Sequence, residues 1–463
     1  MSGSCSSAAT VSSSWTGMGG FSVAAFALAM RPWRPIPRLW IAYSGGCDST
    51  VLLHAAVTSG LPVSALHVDH GLHPESGDWA LHCRARCQAL GVPLRVEPVT
   101  VRDGGEGLEA AARKARYQAY AAILAPGECI ATAHHVDDQA ETVLLRILRG
   151  TGIDGLAGIP AERELGEGRL IRPLLGFCRA ELVAYATRHE LSWIDDPANR
   201  CDRHDRSFLR EHVVPLLETR WPGLAQRLTR LARHADAASM LTERWARRQL
   251  TVLGDDPCVL PVAVLAEFDE AERVQLLRSW IRRQGRRPPP ERRLCRGLMD
   301  LLRAAPDRQP ALVWADGCIR RYRGRLYLLP PRLPQPPAIG LPWDMRQPLN
   351  MPELGRLEAR PSVGRGLRAQ CVRQAPVEVR FRQGGEHMRL RGHARSHALK
   401  RLLQERGVPP WVRERLPLIF IGHELAAVAD LLLAESFSAG PAEPGLELCW
   451  RFSAARDRAA PAL

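Results

Sequence analysis

From residue 38 onward the chain alternates between two hydrophobic periods. Short apolar or period-two runs at 38–44 (RLWIAYS), 63–70 (VSALHVDH), 93–99 (PLRVEPV) and 129–135 (CIATAHH) predict β-strands. Between them, segments 49–58, 78–90, 107–125 and 137–149 repeat their apolar positions with a helical period. Strands separated by helices predict a parallel sheet covered on both faces, with the ligand site at the carboxyl ends of the strands. That rule brings three polar clusters, SGGCDS (44–49), HVDHGL (67–72) and HHVDDQ (134–139), to one rim.

Past residue 222 the strand signal fades. Residues 224–303 read as helices rich in Leu, Ala and Arg, and PPRLPQPP (330–337) as a stiff, extended connector. Short β-like stretches (VEVRFR, LPLIFIG, LAAVADLLL) then surround one helix, SHALKRLLQERG. The expected division is a Rossmann-like α/β domain at 35–222, a helical domain at 223–330, a linker at 331–345 and a small α+β domain at 346–455. Residues 1–34 are expected to lie outside the fold, as a disordered or untranslated extension. They are rich in Ser, Gly and Ala, and the apolar FSVAAFALAM has no basic region before it, unlike a signal peptide. No apolar run approaches the ~20 residues of a membrane span, so no membrane partner is expected.

The 463 residues are 46% apolar and 24% charged, which is globular, and the net charge of +14 points to a polyanionic partner, foremost nucleic acid. Lys114 and Lys400 are the only lysines, so that charge is almost all arginine, a skew that genomic base composition also produces. The 12 cysteines are scattered with no C-x-x-C pair, which suits reduced thiols in a cytoplasm better than a disulfide framework.

Gly45 and Gly46 allow a turn whose N–H groups point inward, and Ser49 is expected to open a helix whose positive dipole end faces the same point. Together they form an anion hole. Asp48 beside it would repel phosphate unless Mg²⁺ bridges the two. The lysine of a G-x-x-x-x-G-K-[ST] loop is missing, so a grip on pyrophosphate as leaving group, hence adenylyl transfer from ATP, fits better than hydrolysis. A plain βα turn with a capped helix is the alternative. Asp138 and Glu141, three apart on one helix, would share a face and could converge on an ammonium ion. A metal cluster with His134, or a helix start that merely favours acids, are the other readings. Arg113, Arg116, Tyr117 and Tyr120 form a stripe suited to RNA, unless it is a solvated face with Glu109 paired to Arg113.

SGGCDS after a hydrophobic strand resembles the loop of the N-type ATP pyrophosphatases (the PP-loop superfamily). HVDHGL (67–72), EAAARKARYQAY (109–120), ATAHHVDDQAETVLLRILRG (131–150) and LIRPLL (170–175) are similar to successive motifs of the tRNA(Ile)-lysidine synthases. So are WIDDPANRCDRHDRSFLREHVVPLL (193–217) and LKRLLQERGVPPWVRERLPLIFIGHELAAVA (399–429). Ser207 and His73 depart from the usual Asn and Arg of that family. The resemblance implies ATP-dependent adenylation of the wobble cytidine of a tRNA(Ile) with a CAU anticodon, through O2. The amine of free L-lysine then displaces AMP, and the tRNA changes from methionine to isoleucine specificity.

It also implies the roles. Ser44, Gly45, Gly46, Cys47, Asp48, Ser49 and His70 would bind ATP, with Asp48 as Mg²⁺ ligand, and His67 would lie near the adenosine. Asp138 and Glu141 would hold lysine, with Asp48, Arg113, Asp138 and Arg206 as the catalytic set. The charge pattern itself leads to the tRNA contacts expected at Arg113 and Arg116 of the stripe, Arg210, and Arg389, Arg395, Lys400 and Arg401 of the α+β domain, where arginine continues past the last acid needed for adenylation. Oligomeric state is left open, a homodimer included. Related thiolases need paired or cluster-bound cysteines, and amidotransferase synthetases need a glutaminase module. Neither feature is present, and a purely RNA-binding protein would not need the acids.

Overall fold

The computed structural model describes residues 20–453 except 74, 103–104, 106, 196–204, 253–255 and 306–307. The chain forms two compact units, one ending at Leu241 and the other beginning at Thr242. Among the described residues no helix is long and apolar enough to cross a membrane.

The first unit is built on a six-stranded sheet. Strand β1 (Leu39–Ala42) lies between β2 (Val63–Asp69) and β4 (Cys129–Ala131), with Leu39 in register with both Val63 and Cys129. Outside β2 lies β3 (Leu94–Pro98); outside β4 lie β6 (Gly168–Ile171) and then β5 (Glu162–Leu165), which runs antiparallel to β6. Helices α2 (Cys47–Thr58), α3 (Ser76–Ala89), α4 (Leu108–Ile123) and α5 (Val136–Leu148) make the crossovers. Successive side chains of β1 serve both faces. Leu39 and Ile41 pack with Val51, Leu52, Leu182 and Tyr185, while Trp40 and Ala42 pack with Leu66, Tyr120, Ile130 and Leu170. A parallel sheet buried on both sides needs such apolar runs, which is why these strands were legible.

Two boundaries differ from expectation. Strand β4 stops at Ala131, short of His135: Thr132 N still donates to Ile171 O (3.1 Å), but β6 ends there and the ladder with it. The helix after the glycine pair starts at Cys47 with Gly46 as its cap, so Ser49 lies inside the first turn.

The larger correction concerns residues 20–34, which belong to the fold. Helix α1 (Val23–Ala29) is capped by Ser22, whose Oγ accepts from Ala25 N (3.2 Å). Phe21, Phe26, Met30 and Trp33 are buried in the same cluster as Leu182 and Tyr185. The Phe21 ring meets Phe177 and Tyr185 edge-on at 4.9 Å each. The apolar stretch expected to lie outside the fold is a short helix whose partners lie far along the chain. Residues 1–19 lie outside the described residues.

After α6 (Ile153–Leu156) and α7 (Arg179–Arg188) come α8 (Asp205–Phe208), a π-helical turn at Leu209–Val213 and α9 (Val214–Arg220). Helix α10 (Leu224–Val252) runs through the division between the units, so the boundary falls inside a helix and not at 222/223.

The second unit is less helical than expected. Helices α11 (Val262–Leu265), α12 (Glu270–Arg283) and α13 (Glu291–Arg303) are followed by β8 (Ala311–Trp314), β9 (Gly317–Tyr322) and β10 (Arg325–Leu329). With β7 (Val259–Pro261) these form a four-stranded antiparallel sheet, so 223–330 is not a wholly helical segment. The connector also ends earlier than read: Leu341–Pro342 pairs with Glu378 and Val379, and Trp343 and Met345 are buried. The remaining chain makes antiparallel sheets around Leu399, Leu402, Leu403 and Trp411.

Candidate functional site

Strand order reverses at β1, because the chain leaves it toward β2 and returns to β4 on its other side. Loops leaving neighbouring strands on either side of such a point diverge and open a crevice. The segment after β1 (44–49) and the segment after β4 (132–138) therefore face one another. Gly45 has φ +85°, and a Cβ there would lie 2.7 Å from Ile194 Cδ1 and 3.1 Å from Cys83 Sγ. Gly46 is different: its nearest neighbour would be Ser44 Oγ at 3.6 Å, so the missing side chain leaves room. Ser44 Oγ and Ser49 Oγ share a hydrogen bond (3.1 Å), and Ser49 and Thr50 both donate back to Gly46 O at 3.0 Å. These bonds fix the hydroxyls around a 12-residue helix whose N-cap supplies no side-chain acceptor, leaving its first N–H groups for an anion. The Cys47 thiol is buried and pushed up to about 11 by burial and then by Asp48, so it is protonated at neutral pH and no sulfur nucleophile.

Asp48 meets the second segment through His135. Its Oδ2 lies 3.6 Å from His135 Nε2, while its Oδ1 is enclosed and accepts no hydrogen bond. That orphaned carboxylate oxygen is an acceptor a hard cation would satisfy, so the residue fits a Mg²⁺ ligand. Among the described residues no group of three or more His, Cys, Asp or Glu could hold a metal, so phosphate and water would have to complete the shell.

His135 caps α5: its backbone N–H donates to Asp138 Oδ2 (3.0 Å), and its ring lies 3.3 Å from Asp137 Oδ2 and 3.4 Å from Asp138 Oδ2. Burial alone would lower its pKa, but hydrogen bonds to Asp137 and Asp48 and the charge of Asp138 outweigh it and raise it to about 10. With the ring charged, Nδ1 donates to Asp137, and the 3.4 Å approach of Asp138 N to the same nitrogen is a contact and not a bond. Asp137 also accepts from Arg179 N at the start of α7 (2.8 Å), so its carboxylate is spent on holding two helices.

Asp138 and Glu141 do lie together, as their spacing requires, but neither is bare. Arg206 on α8 reaches Glu141 Oε2 at 2.8 Å and Asp138 Oδ1 at 3.3 Å. Arg210, on the π-helical turn, reaches Glu141 Oε1 at 2.6 Å and Asp138 Oδ1 at 3.3 Å. Glu141 is buried, and Asp138 is held below the usual carboxylate range: burial opposes this, but His135 and Arg206 outweigh it. The structure thus joins two expected lysine ligands, an expected catalytic arginine and an expected tRNA arginine in one cluster. His134 is bound to Thr132 Oγ1 (2.9 Å), and burial lowers its pKa to about 4, so it is neutral.

Other expected residues separate. Arg113 and Arg116 are exposed on α4, and Arg116 Nε donates to His70 Nε2 (3.3 Å), linking that stripe to the end of β2. Tyr120 instead packs under the sheet in the core, so the RNA-facing stripe is one residue shorter. His67, expected near the adenosine, is buried inside β2 with its Nδ1 bonded to Tyr43 O (3.0 Å). In the second unit Arg389 pairs with Glu435 (3.1 Å) and Arg401 with Glu405 (2.8 Å), while Arg395 and Lys400 are exposed. Reading by residue missed His135, whose backbone N–H and ring are held by the acids of the helix start that follows it. It also missed Arg172, buried just past β6.

A family profile described as PP-loop domain matches residues 24–217, beginning inside α1. One described as TilS substrate binding domain matches 260–327, and one described as TilS substrate C-terminal domain matches 377–450. The tRNA(Ile)-lysidine synthase of Alkalilimnicola ehrlichii is 46% identical over 407 residues, 87% of this chain and 91% of its own length. That of Xanthomonas campestris pv. campestris is 42% identical over 433 residues, 92% of this chain and 98% of its own. That of Pseudomonas aeruginosa is 41% identical over 440 residues, 91% and 95% of the two chains.

Proposed function

The chain belongs to the tRNA(Ile)-lysidine synthase family, and from that premise we propose that it makes lysidine in two half-reactions at the β1/β4 rim. In the first, O2 of the wobble cytidine of a CAU-anticodon tRNA(Ile) attacks the α-phosphate of ATP, and pyrophosphate leaves into the 44–49 loop. In the second, the neutral amine of free lysine attacks C2, and AMP departs with the former O2. The codon read and the amino acid accepted then change from those of methionine to those of isoleucine. A cytoplasmic location goes with these substrates.

Each group has work suited to its surroundings. The first N–H groups of α2 and the Ser44 and Ser49 hydroxyls receive the departing phosphates. A Mg²⁺ ion on Asp48 would offset the repulsion between that carboxylate and the phosphates. Asp138 and Glu141 hold the lysine amines, and a carboxylate there accepts the proton that the ammonium must lose before attack. Asp137 is tied to Arg179 N and His135, whereas Asp138 turns Oδ1 to the same two arginines as Glu141, so Asp138 is the acid assigned to lysine. Arg206 and Arg210 pair with the two acids. A bound α-phosphate would offer those guanidiniums bidentate partners and leave the acids to lysine.

The observation that carries this reading is the acid pair of α5 facing the anion loop of α2 across the strand-order reversal, with two arginines able to serve either. Asp138→Asn tests it. Losing one charge-assisted contact costs roughly 1.5–3 kcal/mol, so the lysine concentration for half-maximal rate should rise about ten- to a hundredfold. Adenylation of the tRNA measured without lysine should survive. Loss of both half-reactions together, unrescued by lysine, would instead make Asp138 part of the metal or nucleotide site.

A further inference from the structure

At the same rim one group of charges has no counter-charge among the described residues. Arg172, the residue after β6, is 4% exposed; its Nη1 donates to Pro160 O (2.6 Å) and its Nε is enclosed without a partner. It lies beside the phenol of Tyr117, which accepts from Arg113 Nη2 at 3.2 Å. Arg163 and Arg113 cover the Tyr117 ring, their Cζ atoms 4.4 and 5.1 Å from its centroid. Among the described residues none of these three guanidiniums forms an ion pair with a carboxylate.

A buried guanidinium without a counter-charge is costly, and two like charges beside it add to the cost. The phenol registers the field: burial raises its pKa, yet Arg113, Arg172 and Arg163 outweigh burial and lower it. Such a cluster is suited to an anion supplied from outside. That anion is not the pyrophosphate, because the 44–49 loop follows β1 whereas Arg172 follows β6, two strand spacings or roughly 10 Å across the sheet. The gap suits a nucleotide lying with its base toward the loop and its backbone toward β6. Arg113 and Arg163 are exposed and open to a macromolecule, whereas the guanidiniums on Tyr117 leave its ring little face for base stacking.

We propose that Arg172, Arg163 and Arg113, grouped about Tyr117, form a seat for one backbone phosphodiester of the tRNA beside the wobble cytidine, and so place that base at the rim. The inference rests on the proposed function. The full chain is tested with anticodon stem–loop RNAs that carry a single neutral methylphosphonate at each loop phosphate in turn. Wild-type affinity should fall about tenfold at one phosphate flanking the wobble position and little elsewhere. Arg163→Ala, an exposed change, should bind the unmodified RNA about tenfold more weakly and no longer respond to that methylphosphonate. Arg172→Lys should behave the same, provided its melting temperature is kept. The lysine requirement of both variants should be unchanged.

Equal sensitivity at every phosphate, or undiminished sensitivity in Arg163→Ala, overturns the seat. A raised lysine requirement with unchanged RNA affinity also overturns it, and assigns the cluster to the lysine carboxylate. Failure of the wild type to modify tRNA(Ile) at all overturns the proposed function and the seat with it, whereas the other failures leave that function standing.

Discussion

Gly45 and Gly46 are neighbours without side chains for different reasons. Gly45 holds a positive φ and has Ile194 Cδ1 2.7 Å from where a Cβ would be, so Gly45→Ala should lower the melting temperature as well as abolish activity. At Gly46 the nearest atom would be 3.6 Å away, so Gly46→Ala should keep its melting temperature but raise the KM for ATP, because the added methyl fills the approach to the helix N-terminus. Equal thermal shifts in the two would contradict the distinction. His135 provides a pH test. Its pKa is raised to about 10 from an ordinary 6.5, so the stability it contributes is complete below about 6.5 and is lost as pH rises through about 10. His135→Gln should therefore flatten the alkaline limb of a melting-temperature profile and leave the neutral-to-alkaline difference smaller than in the wild type. At this scale residue type and spacing pointed to Asp48, Asp138 and Glu141, and the family resemblance to Arg206, but neither could show that Arg206 and Arg210 close on the acids or that Asp137 is tied to α7. Those facts depend on chain segments some 40 to 70 residues apart.

Among the elements, the βα alternation of the first unit was legible because each crossover helix and each doubly buried strand carries its own period. Helix α1 was not, since its seven residues reveal no period until their partners on α7 are known. Phe26 is fully buried, so Phe26→Ala should cost about 3–5 kcal/mol, read as a large drop in denaturation midpoint. A chain begun at Met30 would lack Phe21 and Phe26, and should be less stable and less soluble than the full chain. Equal midpoints for the two would return α1 to the status of an appendage. The β8–β10 sheet was missed although its turn was readable. Tyr322 pairs with Arg325 across a two-residue loop in which Arg323 and Gly324 have φ +46° and +71°, the tight hairpin that a glycine after a polar residue favours. Helical text on one side and prolines on the other obscured it.

For the whole molecule, the +14 charge becomes a statement about tRNA binding. Phosphate contacts make affinity fall with salt, and each one lost should reduce that slope by about one. Because Arg389 and Arg401 already pair with Glu435 and Glu405, replacing exposed Arg395 and Lys400 by Ala should weaken tRNA binding more and flatten its salt dependence more. The reverse order would move the contact surface elsewhere. The central claim is that this chain joins lysine to the wobble cytidine of tRNA(Ile) through an adenylated intermediate. It is tested most directly by mass spectrometry of the wobble nucleoside from CAU-anticodon tRNA(Ile) incubated with the purified protein and ATP, with and without lysine. The expected result is an adenylyl adduct when lysine is withheld, replaced by a gain of lysine less one water when it is supplied. An unchanged cytidine under both conditions, or a gain of sulfur, would contradict the account.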